Sequence, residues 1–154
     1  MNADRSESVV VIDTMVVSAL VNATRDPAPA SAYRALIANR HTVVSFASVT
    51  ELRYGALKAG WGELRRRGLE RDLSRLVVVQ PDDDLMHECT ALRARCEAVG
   101  HPLGQKAHDA DRWIAATAMR RAMSGLSPGT GARVVTRGRS GEETAHAIND
   151  DVGH

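Results

Sequence analysis

A chain of 154 residues, 44% hydrophobic, is long enough to fold as one domain that buries roughly 70% of its unfolded surface, with no need of covalent staples. Its formal net charge of +1 supplies no global attraction to polyanions, and aromatics at 3% rule out an extensive base-stacking platform. The core must be built from Val, Leu, Ala and Met, and any nucleic-acid contact must come from local clusters such as Arg65 to Arg67 with Arg71 and Arg75, Arg112 with Arg120 and Arg121, or Arg133 with Arg137 and Arg139. Basic runs of this kind are as often solvated helix faces.

Residues 1–8 are polar and acidic with no apolar stretch, which predicts a disordered tail and no signal peptide. Val9-Val10-Val11-Ile12 is a continuous β-branched run closed by Asp13, the pattern of a strand buried on both faces. Thr14 can cap a helix through about residue 22, and the Pro27 to Pro29 segment separates it from a second helix over 31–39. A Val-rich strand follows over 41–46 and leads into Ser48-Val49-Thr50-Glu51 and a helix ending before Gly60. Trp61, Leu64, Leu69, Leu73 and Leu76 are spaced for one helix face, with arginines opposite. A third strand at 76–79 precedes a helix over 85–99. Its Cys89 and Cys96, about 10 Å apart at a helical rise, cannot bridge and suit a reducing cytoplasm. A polar loop at 101–108 leads to a helix from Asp109 to about Met123, a Gly/Ser/Pro-rich loop at 124–131, and a last strand at 132–136. Residues 137–154 show no period and read as an irregular tail. No aliphatic run approaches the roughly 20 residues of a membrane span. Strands alternating with helices predict an α/β sandwich around a mostly parallel sheet of about four strands.

Three acids fall at element junctions. Asp13 closes a central strand, at the sheet edge where open parallel sheets bind ligands. A helix N-cap is the competing use for it, but Thr14 stands next door to serve as one. Glu51 completes an S-x-x-E capping box with Ser48, and from a helix's first turn it would also sit near Asp13. Asp111 shares a helix face with Ala115, Ala118 and Ala122, a small-residue stripe that lets the helix approach the sheet; Asp109 is turned away by about 200°. Carboxylates gathered at one edge call for a cation, and an all-oxygen set favours Mg²⁺ or Mn²⁺ over zinc. His87, His101 and His108 show no metal-binding spacing and read as surface or loop residues.

The segments Val10-Val11-Ile12-Asp13-Thr14, Ser48-Val49-Thr50-Glu51-Leu52-Arg53-Tyr54-Gly55-Ala56 and Asp111-Arg112-Trp113-Ile114-Ala115-Ala116-Thr117-Ala118, with Val134-Val135-Thr136 after them, resemble the PIN-domain ribonucleases, and among these the VapC-type toxins of toxin-antitoxin pairs. The resemblance implies a PIN-like nuclease domain over 9–136, a Mg²⁺ or Mn²⁺ site on Asp13, Glu51 and Asp111, cleavage of single-stranded RNA, a VapB-type antitoxin and a homodimer. Thr14 and Thr136 are then placed to hold water or phosphate, and Arg112 to contact substrate. The leucine-rich face from Leu52 to Leu76 with Trp61 is either a docking groove for an amphipathic antitoxin segment or plain core.

The chain departs from the family at its end. A fourth acid usually follows the last strand, whereas here Arg137-Gly138-Arg139-Ser140-Gly141 comes first, and Glu142 or Glu143 can substitute only if the loop folds back. A catalytically weak module that binds antitoxin or RNA without cutting is therefore the alternative. An aspartyl-phosphate protein also begins with a strand and Asp, but Asp13-Thr14-Met15 lacks the Asp-x-Asp of dehalogenases, and the acidic pair and late lysine of receivers are not evident.

Overall fold

A computed structural model describes residues 9–124, with side chains through Arg121, and the backbone of 133–137 and 143–147. In chain order the elements are β1 (Val9–Ile12), α1 (Thr14–Val21), α2 (Pro27–Ile37), β2 (His41–Ser45), α3 (Phe46–Lys58), α4 (Glu63–Leu73), β3 (Val77–Val79), α5 (Asp83–Ala98), two 3-10 turns (Pro102–Gly104 and Lys106–His108), α6 (Asp109–Ser124), β4 (Arg133–Arg137) and β5 (Glu143–Ala147).

The sheet runs β3-β2-β1-β4-β5, with β1 at its centre. The first four strands are parallel, as expected, and Ile12 pairs with Val44 on one side and Val135 on the other. β5 corrects the reading of everything after residue 136 as irregular, since it pairs antiparallel with β4 from Arg133↔Ala147 to Arg137↔Glu143. Its Glu-Thr-Ala-His-Ala sequence has one β-branched residue, so an edge ladder overrides weak propensity there. The expectations for residues 1–8, 125–132 and 148–154 lie outside the described residues.

Alternation along the strands divides the core into two layers. Val11, Val43 and Val79 face α5 and α6, packing with Leu85, Leu92, Ile114 and Ala118. Val10, Ile12 and Val44 face the other way, onto Val16, Val17, Tyr33, Val49 and Leu69. The result is an α/β/α sandwich.

Two helix starts differ from expectation. α2 begins at Pro27, because proline's fixed φ and missing N–H suit the first turn of a helix. α3 begins at Phe46, with Ser45 as N-cap accepting from the Ala47 amide at 3.3 Å. Ser48 is therefore inside the helix, and the capping box read at Ser48 and Glu51 does not form. Gly60 and Gly100 end α3 and α5 with φ of 66° and 70°, the left-handed values glycine adopts without penalty.

The start of α5 is tied to α6. Asp82 caps α5, accepting from the Leu85 amide at 2.9 Å, and also accepts from the Arg120 guanidinium. The Arg120 bond first, then the Leu85 amide, holds the Asp82 carboxyl below the usual carboxylate range. A depressed folded value adds stability that is fully present above the unfolded pKa of about 3.9 and is lost as pH falls through the folded value. Asp82→Asn keeps a cap acceptor and removes the charge, so it should lower Tm at neutral pH and cease to matter once pH is below both values. Thermal melts across pH check this; a deficit that persists in acid would assign the effect to the cap alone.

Candidate active site

Asp13 stands at the carboxyl edge of the central strand, half-buried, one residue past the Ile12 pairs. By backbone register its flanking positions are Ser45, after Val44, and Thr136, after Val135. Asp13 is also the N-cap of α1, with Oδ1 accepting from the Val16 amide at 2.9 Å. The cap role assigned to Thr14 thus falls to Asp13, and the two uses of this carboxylate coexist. Thr14 is the first residue of α1, and its Oγ1 donates to Ser48 Oγ at 3.1 Å, joining α1 to α3.

Glu51 lies in the second turn of α3, not the first, and is exposed. Asp111 is in the first turn of α6, with its side chain 64% exposed and Oδ2 3.2 Å from His108 Nδ1. The stripe behind it is present, since Ala115 and Ala118 are buried; the side chain of Ala122 lies outside the described residues. Phe46 and Trp113 meet edge to face at 5.0 Å, which packs the start of α3 against α6. The structure thus joins the helices of Asp13 and Glu51 directly and holds Asp111 against His108. Among the described residues, no three His, Cys, Asp or Glu side chains come together as a group that could hold a metal ion.

Carboxylate oxygens on Asp13 and Glu51 are nonetheless the donors that suit a hard divalent cation. Mg²⁺ commonly takes one or two protein carboxylates, with water and substrate phosphate filling the other positions. The donor chemistry fits such a loosely anchored ion, and Asp111 would have to exchange its His108 contact to join it.

Arg112, expected to contact substrate, is turned into the fold. It is 3% exposed, and its guanidinium donates to the carbonyls of Leu103 and Gln105 and to the Asp109 carboxylate. Asp109, the weaker acid candidate, is the partner of a buried cation. Most of the α4 cluster is neutralised within its helix, because Arg66 and Arg67 pair with Glu63 and Arg75 with Asp72, while Arg65 stacks on the Trp61 ring at 3.3 Å. Thr136 lies on β4 beside Asp13 by register, and its side chain is outside the described residues, as is Gly138. Glu143 opens β5 opposite Arg137, so the chain does fold back to this edge.

Motif reasoning gives His108 no role at the site and Ser48 only that of a helix cap. His108-x-x-Asp111 is an i, i+3 pair, and that spacing alone could have flagged the histidine. Ser48 shares the same spacing with Glu51, which the capping-box reading absorbed.

The sequence matches the PIN domain over residues 10–145. The chain belongs to the PIN-domain family. Among solved structures it is similar to a chain of the VapBC2 complex of Rickettsia felis bound to a DNA fragment from its promoter, at 22% identity and TM-score 0.63, covering 84% of this chain and 87% of that one. It is similar to VapBC-1 from nontypeable Haemophilus influenzae at 25% identity and TM-score 0.52, covering 72% and 79%, and to FitAcB from Neisseria gonorrhoeae at 20% identity and TM-score 0.58, covering 86% and 88%. No curated protein sequence gives a significant match. Among the described residues no helix is long and apolar enough to cross a membrane.

Proposed function

We propose that this chain is a Mg²⁺- or Mn²⁺-dependent endoribonuclease that cleaves single-stranded RNA and serves as the VapC-type toxin of a pair with a VapB-type antitoxin. The observation that carries the reading is Asp13 at the carboxyl end of the central strand of a PIN fold, flanked in register by Ser45 and Thr136. A bound cation supplies activation of water for in-line attack on phosphorus and offsets charge on the phosphate oxygens. Asp13 and Glu51 would hold it, with Asp111 as the third ligand. Asp13 is oriented for this by the Val16 amide, and the backbone register puts position 136 beside it, which makes Thr136 the candidate to hold water or phosphate.

The second reading, a module that binds antitoxin or RNA without cutting, is favoured by one observation, that the three acids do not converge among the described residues. Cleavage of a single-stranded RNA pool with Mn²⁺ and with chelator separates the two. Chelator-sensitive cleavage supports the nuclease, and RNA or antitoxin binding without cleavage supports the module.

The docking face is narrower than the leucine pattern suggests. Leu69 and Leu73 are buried, and Leu52, Trp61 and Leu76 pack on the same core, so these residues hold α3 and α4 to the sheet. What remains is Leu64, which is exposed, and a groove of about 750 Å³ between α3 and α4 lined by Leu57, by Arg71 and by the ion pairs Arg53–Glu70 and Arg66–Glu63. Leu57 is 62% exposed, and among the described residues Arg66 Nε finds no hydrogen-bond partner. An amphipathic antitoxin segment with an apolar residue for Leu57 and an acid for Arg71 suits this lining. Leu57→Glu should weaken antitoxin capture at least tenfold, about 1.4 kcal/mol, with Tm little changed. Trp61→Ala should lower both. Titration calorimetry with melts of the free protein measures this, and unchanged capture by Leu57→Glu would move the interface elsewhere.

A further inference from the structure

Ser48 is fully buried on α3, on the same helix as the buried Ala47, Val49 and Ala56. Packing alone would be served by alanine, and a buried hydroxyl is tolerated only where it is hydrogen-bonded. Among the described residues its partner is Thr14, whose Oγ1 donates to it at 3.1 Å across 34 positions of sequence. Both ends of that bond adjoin a carboxylate of the site. Thr14 follows Asp13 directly, and Glu51 lies three residues after Ser48, one helical turn along the same side of α3.

We infer that Ser48 is a positioning residue, whose hydroxyl bond to Thr14 sets the separation of the Asp13 and Glu51 carboxylates and so the affinity of the site for its divalent cation. The inference rests on the metal-nuclease reading and deepens it. α1 and α3 leave different strands, β1 and β2, and the backbone ladder that pairs those strands stops short of both acids. Beyond the ladder, the hydroxyl pair is a direct polar tie between the two helix starts. Losing it leaves both carboxylates present but lets α3 shift against α1 under their mutual repulsion, which weakens a shared cation without unfolding the sheet.

The test is Mn²⁺ binding in the absence of RNA, read by electron paramagnetic resonance on the full chain, with a thermal melt of each variant. Ser48→Ala and Thr14→Val should each raise the Mn²⁺ dissociation constant about five- to tenfold, and the double variant should be no worse than either, because both remove one interaction. Thr14→Ser keeps the hydroxyl and should bind Mn²⁺ as the wild type does. Wild-type affinity in Ser48→Ala, additive losses in the double variant, or losses that follow Tm in proportion overturn the inference while leaving the nuclease reading in place. A wild-type protein that binds no Mn²⁺ and cleaves no RNA overturns that reading, and this inference with it.

Discussion

Asp13→Asn should abolish RNA cleavage and growth inhibition, with a loss on the order of 100-fold or more, because a carboxylate that anchors a catalytic cation supplies several kcal/mol of transition-state stabilisation. The substitution is informative because of the second task Asp13 performs. Asparagine is as good an N-cap as aspartate, so the bond from the Val16 amide survives and α1 should stay folded. Circular dichroism and melting temperature should match the wild type while initial cleavage rate collapses. Glu51→Gln and Asp111→Asn are expected to behave likewise, and Asp109→Asn to act on stability instead, through Arg112. Full toxicity in Asp13→Asn would remove the metal-site assignment; a lost fold would show that the cap needs the charge.

Arg112→Ala should destabilise the protein by about 2–3 kcal/mol, through loss of the charged donor's hydrogen bonds and of the packing of a buried side chain. The guanidinium reaches two loop carbonyls, Leu103 and Gln105, and the Asp109 carboxylate, which a lysine ammonium cannot span, so Arg112→Lys should not rescue it. The loop is held tightly from its other side as well. A Cβ on Gly104 would stand 2.8 Å from the Glu97 amide nitrogen at the end of α5, leaving no room for the loop to shift and repair the loss. Urea unfolding measures the effect, with RNA affinity compared at equal folded fraction. Unchanged stability with lost RNA binding would return Arg112 to the substrate.

The parts of this architecture legible in the sequence are those written as a local pattern. The β-branched run into Asp13 specified a strand buried on both faces, and the alanine stripe after Asp111 specified a helix lying close on the sheet. What escaped was decided by partners distant in sequence or by competition between equal local signals. Ser45 and Ser48 both begin a plausible cap, and the end of the β2 ladder at Ser45 chose between them. The structural task of Arg112 is hidden in the sequence because two of its three acceptors are main-chain carbonyls, which carry no residue signature. β5 was invisible because its strand character comes from pairing with β4 rather than from its own residues. The leucines of α4 stay ambiguous in the sequence, because helical spacing alone cannot tell a face turned to the sheet from one turned to a partner.

Because β4 lies directly beside β1, the positions of Asp13 and Thr136 become neighbours only after the ribosome has added residue 136, 123 residues after Asp13 (136 − 13). At about 5–20 residues per second this is a delay of roughly 6–25 s. During it β1 can pair with β2 while its other edge stays open, and closing that edge requires a contact of high sequence separation, the slow kind. A sheet wired in this order keeps one flank of its central strand, and with it half of the carboxyl edge around Asp13, unbuilt while most of the chain is being made.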